Sequence, residues 1–296
     1  MSHELKLYHS AASPNSRRVR IFLAEKGIAI PLVPVDLAKG EQHSDAYRAI
    51  NPRRVVPTLV LEDGTAIGEV LAIWRYLEEV YSTPPLLGST PKDKALVTMW
   101  ERRAELEGFA AVMEGVRNAA ERLKGRAIAG PHDYDQIPAL AERSKLRVKN
   151  FYADLDARLA EVSFVAGNTF SAADITALVT VDFAAKAMSF SAPGEHAALA
   201  RWHENVSSRP SVGALAGPAR TWPINAMTEK PSATTTQKCR CAQHDNRRIE
   251  QGIGPRSVRY AFQQAGLQRG RAVLVIELHS TQRAQYAWAR RPVQSG

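Results

Sequence analysis

The chain has 296 residues, 45% of them apolar, so it is long enough to fold as one large globular domain or two ordinary ones. No apolar run approaches the roughly 18 residues that a membrane-spanning helix needs, and the N-terminal MSHELKLYHS lacks the charged-then-apolar pattern of a signal peptide. These features exclude a membrane protein and predict a cytoplasmic one, and the formal net charge of +9 lies almost entirely in the C-terminal end.

The first eighty residues predict a small α/β domain. LKLYH alternates like a short strand, and the helical pattern after it begins at Pro14 and stops before Gly27. IAIPLVPVDL indicates an edge strand because of its prolines, SDAYRAI a short helix, and PTLVLEDGTAI a hairpin with an Asp-Gly turn. Apolar residues at helical spacing then run over 70–81. This order of elements predicts a compact domain at residues 1–82.

After the proline-rich STPPLLGSTP, the chain has a helical pattern from Lys92 to about Arg209. Within it, FSAADITALVTVDFAAKAM begins with a capping box, in which Ser171 caps the helix and Asp174 pairs with it three residues later. The pattern predicts an all-helical domain at residues 91–215, so the fold class is α/β followed by all-α.

The last part of the chain loses this periodicity. Residues 222–296 contain 12 Lys and Arg against 4 Asp and Glu, whereas residues 1–221 contain 27 against 26. The composition predicts a basic, disordered tail. Both cysteines, Cys239 and Cys241, lie in this tail, where KCRC excludes a disulfide framework and has too few ligands for zinc, so no metal is expected.

Two interpretations of the tail remain open. Its charge would suit a nucleic-acid contact, but its aromatic residues are too sparse for a stacking platform, which disfavours nucleic acid as a partner. Alternatively, the abrupt loss of periodicity and the bias toward Arg, Gln, Ser and Ala resemble the product of reading on past a frame change.

The start of the first helix predicts a place for an anion, because the first turn of a helix has unpaired N–H groups and partial positive charge. A thiolate is such an anion, and a hydroxyl that donates to it lowers the pKa of the thiol. Ser13 has this position, with Ser10 and Asn15 beside it, and the thiol has to come from a ligand because residues 1–238 contain no cysteine. Ser13 equally suits the ordinary role of an N-cap.

Two further positions suit a peptide ligand. In RRVVPTLV, Pro57 begins a predicted strand, and although most X–Pro bonds are trans, a cis bond after Val56 would turn the Val56 amide and carbonyl outward to pair with a peptide. The next helix begins near Glu69, and its N-terminus is a natural pocket for a carboxylate.

Taken in this order, the motifs resemble the glutathione S-transferase family over about residues 4–215. The strand, the Ser13-Pro14 helix start, the VVPTL strand, the hairpin and the acidic residue before the third helix resemble its thioredoxin-like N-terminal domain. FVAGNTFSAADI resembles its helical C-terminal domain, and SPNSRRVRIFLAEKGI is most similar to the theta, zeta and related bacterial and fungal branches.

The resemblance implies a cytoplasmic homodimer that conjugates glutathione, as co-substrate, to small hydrophobic electrophiles without a metal. Ser13 matches the catalytic Ser of these branches, which is Cys in omega-like members. Val56 and Pro57 match the cis-proline pair that binds the cysteinyl moiety, and Glu69 matches the acid that meets the γ-glutamyl ammonium group. His43 and Arg54 lie where family members contact the glycyl end. The implied glutathione-binding set is Ser10, Asn15, His43, Arg54, Val56, Pro57, Glu69 and Val70.

Val70 departs from the family pattern, because a Ser that helps bind the γ-glutamyl carboxylate usually follows the acid. Losing a hydrogen bond to a charged group costs about 1.5–3 kcal/mol. That is tenfold or more in affinity, at about 1.4 kcal/mol per decade. The departure supports an alternative function, that of a non-catalytic binding or regulatory protein with the transferase fold.

Overall fold

The computed structural model describes residues 4–192 and 194–213. It begins with a mixed four-stranded sheet in the order β2-β1-β3-β4. The strands are β1 (Lys6–His9), β2 (Leu32–Pro34), β3 (Thr58–Val60) and β4 (Ala66–Ile67). β1 is parallel to β2 and antiparallel to β3, while β3 and β4 form the predicted hairpin. The proline-containing β2 lies at the sheet edge, as the sequence predicts, because proline has no N–H to donate to a second neighbour.

Three helices accompany the sheet: α1 (Pro14–Glu25), α2 (Asp45–Ile50) and α3 (Val70–Val80). The apolar faces of α1 and α3 form the core of this domain with the central strands. Phe22 of α1 stacks on Trp74 of α3 with 5.3 Å between ring centroids, and both side chains are fully buried. Burial of such large rings is among the main contributions to the stability of a small domain.

A buried lysine fixes the linker that follows α3. The Nζ of Lys26 donates to the carbonyl oxygens of Tyr81 and Pro84 at 2.6 and 2.7 Å, and lies 2.7 Å from Glu78 Oε2. The other oxygen of Glu78 accepts the N–H of Leu87 at 3.0 Å. The end of α1 therefore holds the start of the linker in place.

The second part of the chain is helical. Its elements are α4 (Pro91–Arg103), a π-helical segment (Ala104–Phe109), α5 (Ala110–Ala119), α6 (Pro138–Glu161), α7 (Ala172–Met188), α8 (Ala197–Ser207) and α9 (Pro210–Gly213). α7 is buried along most of its length, and it begins with the predicted capping box of Ser171 and Asp174. The predicted fold class, α/β followed by all-α, is confirmed.

The helical prediction does not hold between α5 and α6. Residues 120–137 form a loop with one short 3-10 turn, and the backbone of Arg126 bridges to that of Tyr134. Gly125 and Gly130 adopt positive φ angles of 73° and 134°, which a helix cannot include. Among the described residues no helix is long and apolar enough to cross a membrane. The predicted tail, 222–296, lies outside the described residues.

Candidate active site

A cavity of about 210 Å³ lies where the start of α1, the segment before β3 and the start of α3 meet. Its lining residues are Asn15, Arg53, Val55, Val56, Pro57, Glu69, Val70 and Ala129. Five of these residues belong to the glutathione-binding set implied by the sequence, and they come from three segments that are separated along the chain. The fold therefore brings together in one cavity the positions that the sequence motifs single out.

The start of α1 is held by a network of serine hydrogen bonds. Ser13 is the N-cap, and its Oγ accepts the N–H of Ser16 at 3.2 Å. Two backbone hydrogen bonds hold Ser10 in this network. Its N–H donates to Ser16 Oγ and its carbonyl accepts the N–H of Ser13, each at 3.2 Å. Ser10 and Ser13 are buried, and neither lines the cavity. Ser13 is thus an N-cap, and its catalytic role stays a prediction.

The peptide bond between Val56 and Pro57 is cis, the geometry that an outward-facing Val56 backbone needs. The carbonyl of the preceding Val55 accepts the Tyr47 hydroxyl at 2.6 Å and the Asn51 amide at 3.0 Å. Within the described residues the N–H and carbonyl of Val56 make no hydrogen bond. This backbone is therefore free to pair with an extended peptide at the cavity wall.

Glu69 is the N-cap of α3, with φ 64° and ψ 130°. Positive φ is rare for a residue with a side chain. Its carboxylate makes no capping hydrogen bond and is exposed at the cavity. Val70 has only 5% of its surface exposed and belongs to the main core. It is also one of the residues that line the cavity. Val70 therefore packs its apolar side chain into the core, whereas the Ser that usually stands at this position in the family offers a hydroxyl to the ligand.

His43 and Arg54 do not line the cavity. The guanidinium of Arg126 donates to His43 Nε2 at 2.9 Å, so this nitrogen acts as the acceptor of a neutral ring. Burial, with the positive charges of Arg126 and Arg54, lowers the pKa of His43. Arg54 adopts a left-handed φ of 55°, and its buried Nε has no acceptor among the described residues. Both residues stay predicted contacts of the glycyl end.

Sequence reasoning missed three residues of the cavity wall: Arg53, Val55 and Ala129. Arg53 and Val55 flank predicted positions, and the doubled arginine of NPRRVVP was the available signal for Arg53. Ala129 comes from the loop at 120–137, for which the sequence predicted helix, and nothing in its local pattern indicates a contact with the sheet domain.

A second cavity, of about 370 Å³, lies between the end of α6 and α8 and includes Glu161, Arg201 and Trp202. None of the predicted site residues lines it. Within residues 4–192 and 194–213, no group of three or more His, Cys, Asp and Glu residues could hold a metal ion.

Two family models match the chain. The glutathione S-transferase N-terminal domain matches residues 7–85, and the glutathione S-transferase C-terminal domain matches residues 138–205. Among solved structures, a glutathione S-transferase domain-containing protein of Marinobacter aquaeolei is 37% identical with a TM-score of 0.63, covering 70% of this chain and 99% of that one. Gtt2 of Saccharomyces cerevisiae is 34% identical with a TM-score of 0.64, covering 71% and 99%.

Curated relatives give the same result. Glutathione S-transferase 2 of Saccharomyces cerevisiae is 35% identical over 218 residues, which are 73% of this chain and 91% of that protein. Maleylacetoacetate isomerase of Rattus norvegicus is 45% identical over 95 residues, which are 31% of this chain and 44% of that protein. With matches to both domains and a relative covered over nearly its full length, the chain belongs to the glutathione S-transferase family.

Proposed function

We propose that this protein is a glutathione transferase that conjugates glutathione to small hydrophobic electrophiles. The observation that carries the proposal is the cavity, in which the start of α1, the cis Val56-Pro57 pair and the exposed Glu69 line one space. These are the three segments that the family uses for the thiol, the cysteinyl backbone and the γ-glutamyl group of glutathione. The similarity to glutathione S-transferase 2 of Saccharomyces cerevisiae, over 73% of this chain and 91% of that protein, supports the same activity.

In the proposed complex each part of glutathione meets a matching group. The Val56 backbone pairs with the cysteinyl residue, and the Glu69 carboxylate meets the γ-glutamyl ammonium group. His43 and Arg54 stay the predicted contacts of the glycyl carboxylate, and Arg53, which lines the cavity, adds a third group that can donate to it. The sulfur then lies at the start of α1, where the N–H of Asn15, which has no acceptor among the described residues, and the helix dipole favour an anion. A free thiol, with a pKa near ~8.5, is only a few per cent ionised at neutral pH, so lowering this pKa is the main chemical task of the site.

The test is retention on immobilised glutathione with elution by free glutathione, followed by turnover of a small aromatic electrophile. We expect both. Failure to bind would contradict the proposal. Binding without turnover would instead favour the alternative, a binding or regulatory protein with this fold, for which the buried Val70 is the supporting observation.

We propose that Ser13 donates to the thiolate, and Ser13→Ala is expected to move the pH–rate profile of conjugation to higher pH. The Oγ of Ser13 accepts from Ser16, while its hydroxyl hydrogen has no acceptor among the described residues. Ser13 is buried and does not line the cavity, so the proposed donation requires the sulfur to lie against the start of α1, two residues before the cavity-lining Asn15. Loss of the cap should also lower the free energy of unfolding by about 1 kcal/mol. Stopped-flow rates across pH and urea unfolding measure the two effects.

An unchanged pH–rate profile in Ser13→Ala would mean that Ser13 only caps its helix. Ser13→Cys is the companion variant, because it places a thiol where omega-like members have theirs. With oxidised glutathione it should form a mixed disulfide and release one glutathione, which mass spectrometry detects as added mass.

We also propose a cytoplasmic homodimer, with domains at residues 1–82 and 91–215. The reduced thiol of glutathione needs a reducing compartment, which supports the cytoplasm. Membership of the glutathione S-transferase family supports the homodimer, because in this family the cleft between the two domains usually lies beside a two-fold interface. Light scattering at micromolar concentration should give the mass of two chains, and a single-chain mass would contradict the dimer.

A further inference from the structure

The side chain of Arg18 on α1 is fully buried and reaches into the helical domain. Its NH2 donates to Glu101 Oε1 at 2.7 Å and to Thr176 Oγ1 at 2.9 Å. Its NH1 lies 3.4 Å from Glu105 Oε1. Two carboxylates of the second domain therefore fix the position of this guanidinium, and its burial makes the position rigid.

The same guanidinium also reaches the cavity wall. Its NH1 donates to Oδ1 of Asn15 at 3.2 Å. An arginine has only N–H donors and no acceptor, so it can bind the oxygen of an amide and not the nitrogen. Because the amide is planar, holding Oδ1 toward Arg18 directs Nδ2 away from it, and within the described part of the chain Nδ2 makes no hydrogen bond.

The backbone of the first turn leaves a second donor on the same residue. Pro14 has no N–H, and the N–H groups of Ser13, Ser16 and Arg17 donate to Ser10 O, Ser13 Oγ and Ser13 O respectively. Among the described residues, no acceptor is present for the N–H of Asn15. Asn15 thus presents both an amide side chain and a backbone N–H, and it lines the cavity.

We propose that Asn15 donates its side-chain N–H to the glutathione sulfur and that Arg18 is the positioning residue that aims it. The inference rests on the proposed function. If the Asn15 amide turned by half a rotation, its oxygen would face the thiolate and repel it. Arg18 prevents this turn because it binds only the oxygen, so the helical domain, through Glu101 and Glu105, determines which group meets the sulfur.

The test is the pKa of the bound glutathione thiol, read from the ultraviolet absorbance of the thiolate, in wild type, Asn15→Leu, Arg18→Met and the double variant. We expect the pKa to rise by about one unit in Asn15→Leu, since one hydrogen bond to a charged group is lost. Arg18→Met should raise it as well, and in the double variant the rise should equal that of Asn15→Leu alone. Additive shifts would show that Arg18 acts by its charge and would overturn the positioning role.

Arg17→Met is the matched control, because Arg17 is the adjacent arginine and pairs with Asp182 of α7 at 2.6 Å outside the cavity. It should leave the pKa of the bound thiol unchanged. If Arg18→Met does not fold, Asn15→Leu still tests the proposal, because an unchanged pKa of the bound thiol in Asn15→Leu would overturn it.

S-methylglutathione tests peptide binding separately from the role of Asn15 at the sulfur, because it retains the peptide and lacks the ionisable thiol. Wild type and Asn15→Leu should bind it equally well. If wild type does not bind it, the proposed function and this inference fall together. If both proteins bind it while their thiol pKa values with glutathione agree, only the role of Asn15 is wrong.

Discussion

Replacing Asp174 by alanine is expected to lower the free energy of unfolding by about 4 kcal/mol. Asp174 is fully buried, and its Oδ1 accepts the backbone N–H of Val165 at 2.8 Å and the indole N–H of Trp202 at 2.9 Å. Its Oδ2 accepts the N–H of Ser171 at 2.9 Å. Alanine leaves all three donors buried without acceptors, and each unsatisfied donor costs about 1–3 kcal/mol. Urea unfolding followed by circular dichroism measures the loss.

Ser171→Ala is the control, because it removes the cap of the same helix and leaves the Asp174 carboxylate with its other donors. This variant should lose about 1 kcal/mol. A loss in Asp174→Ala no larger than that of Ser171→Ala would show that the carboxylate is only the reciprocal member of a capping box and does not join α7 to its neighbours.

Features that depend on neighbours in sequence could be predicted, whereas contacts with residues far along the chain could not. Asp174 makes contacts of both kinds. The capping box of Ser171 and Asp174 is visible in FSAADI because its partners are three residues apart. The hydrogen bond from Trp202, which lies 28 residues further along the chain, has no local signature. By contrast, the loop at 120–137 does have local signals, because Gly125 and the Gly130-Pro131 pair interrupt a helix, and the helical pattern predicted from Lys92 to about Arg209 passed over them.

In the candidate site, too, positions within short motifs could be predicted, whereas contacts between distant segments could not. Asn15, Val56, Pro57, Glu69 and Val70 were predicted from short motifs, and they do line one cavity. Long-range placement was not predictable, because two domains have to pack before it exists. The side chain of Arg18 is fully buried against carboxylates of α4 and the π-helical segment, and nothing in the local SRRVR sequence indicates this burial.

Replacing Glu69 by glycine is expected to raise the free energy of unfolding by about 1 kcal/mol while weakening glutathione binding tenfold or more. The gain arises because Glu69 has a φ of 64°, and holding a non-glycine residue in such a region costs about 1–3 kcal/mol, of which the greater flexibility of unfolded glycine cancels a part. The loss arises because the carboxylate proposed to meet the γ-glutamyl ammonium group is removed, at about 1.5–3 kcal/mol for a charged hydrogen bond. Urea unfolding and calorimetric titration with glutathione measure the two changes.

Glu69→Gln separates the effect of backbone strain from the effect of the negative charge. Glutamine retains a side chain at the same positive φ and has no negative charge. It should weaken glutathione binding nearly as much as glycine does, with no gain in stability. If Glu69→Gly is no more stable than Glu69→Gln, the backbone of this position holds no strain. If Glu69→Gln binds glutathione as tightly as wild type, Glu69 does not meet the ammonium group. With both results as expected, the strained backbone at Glu69 is the structural cost of placing its carboxylate at the cavity, where positive φ holds it outside the first turn of α3.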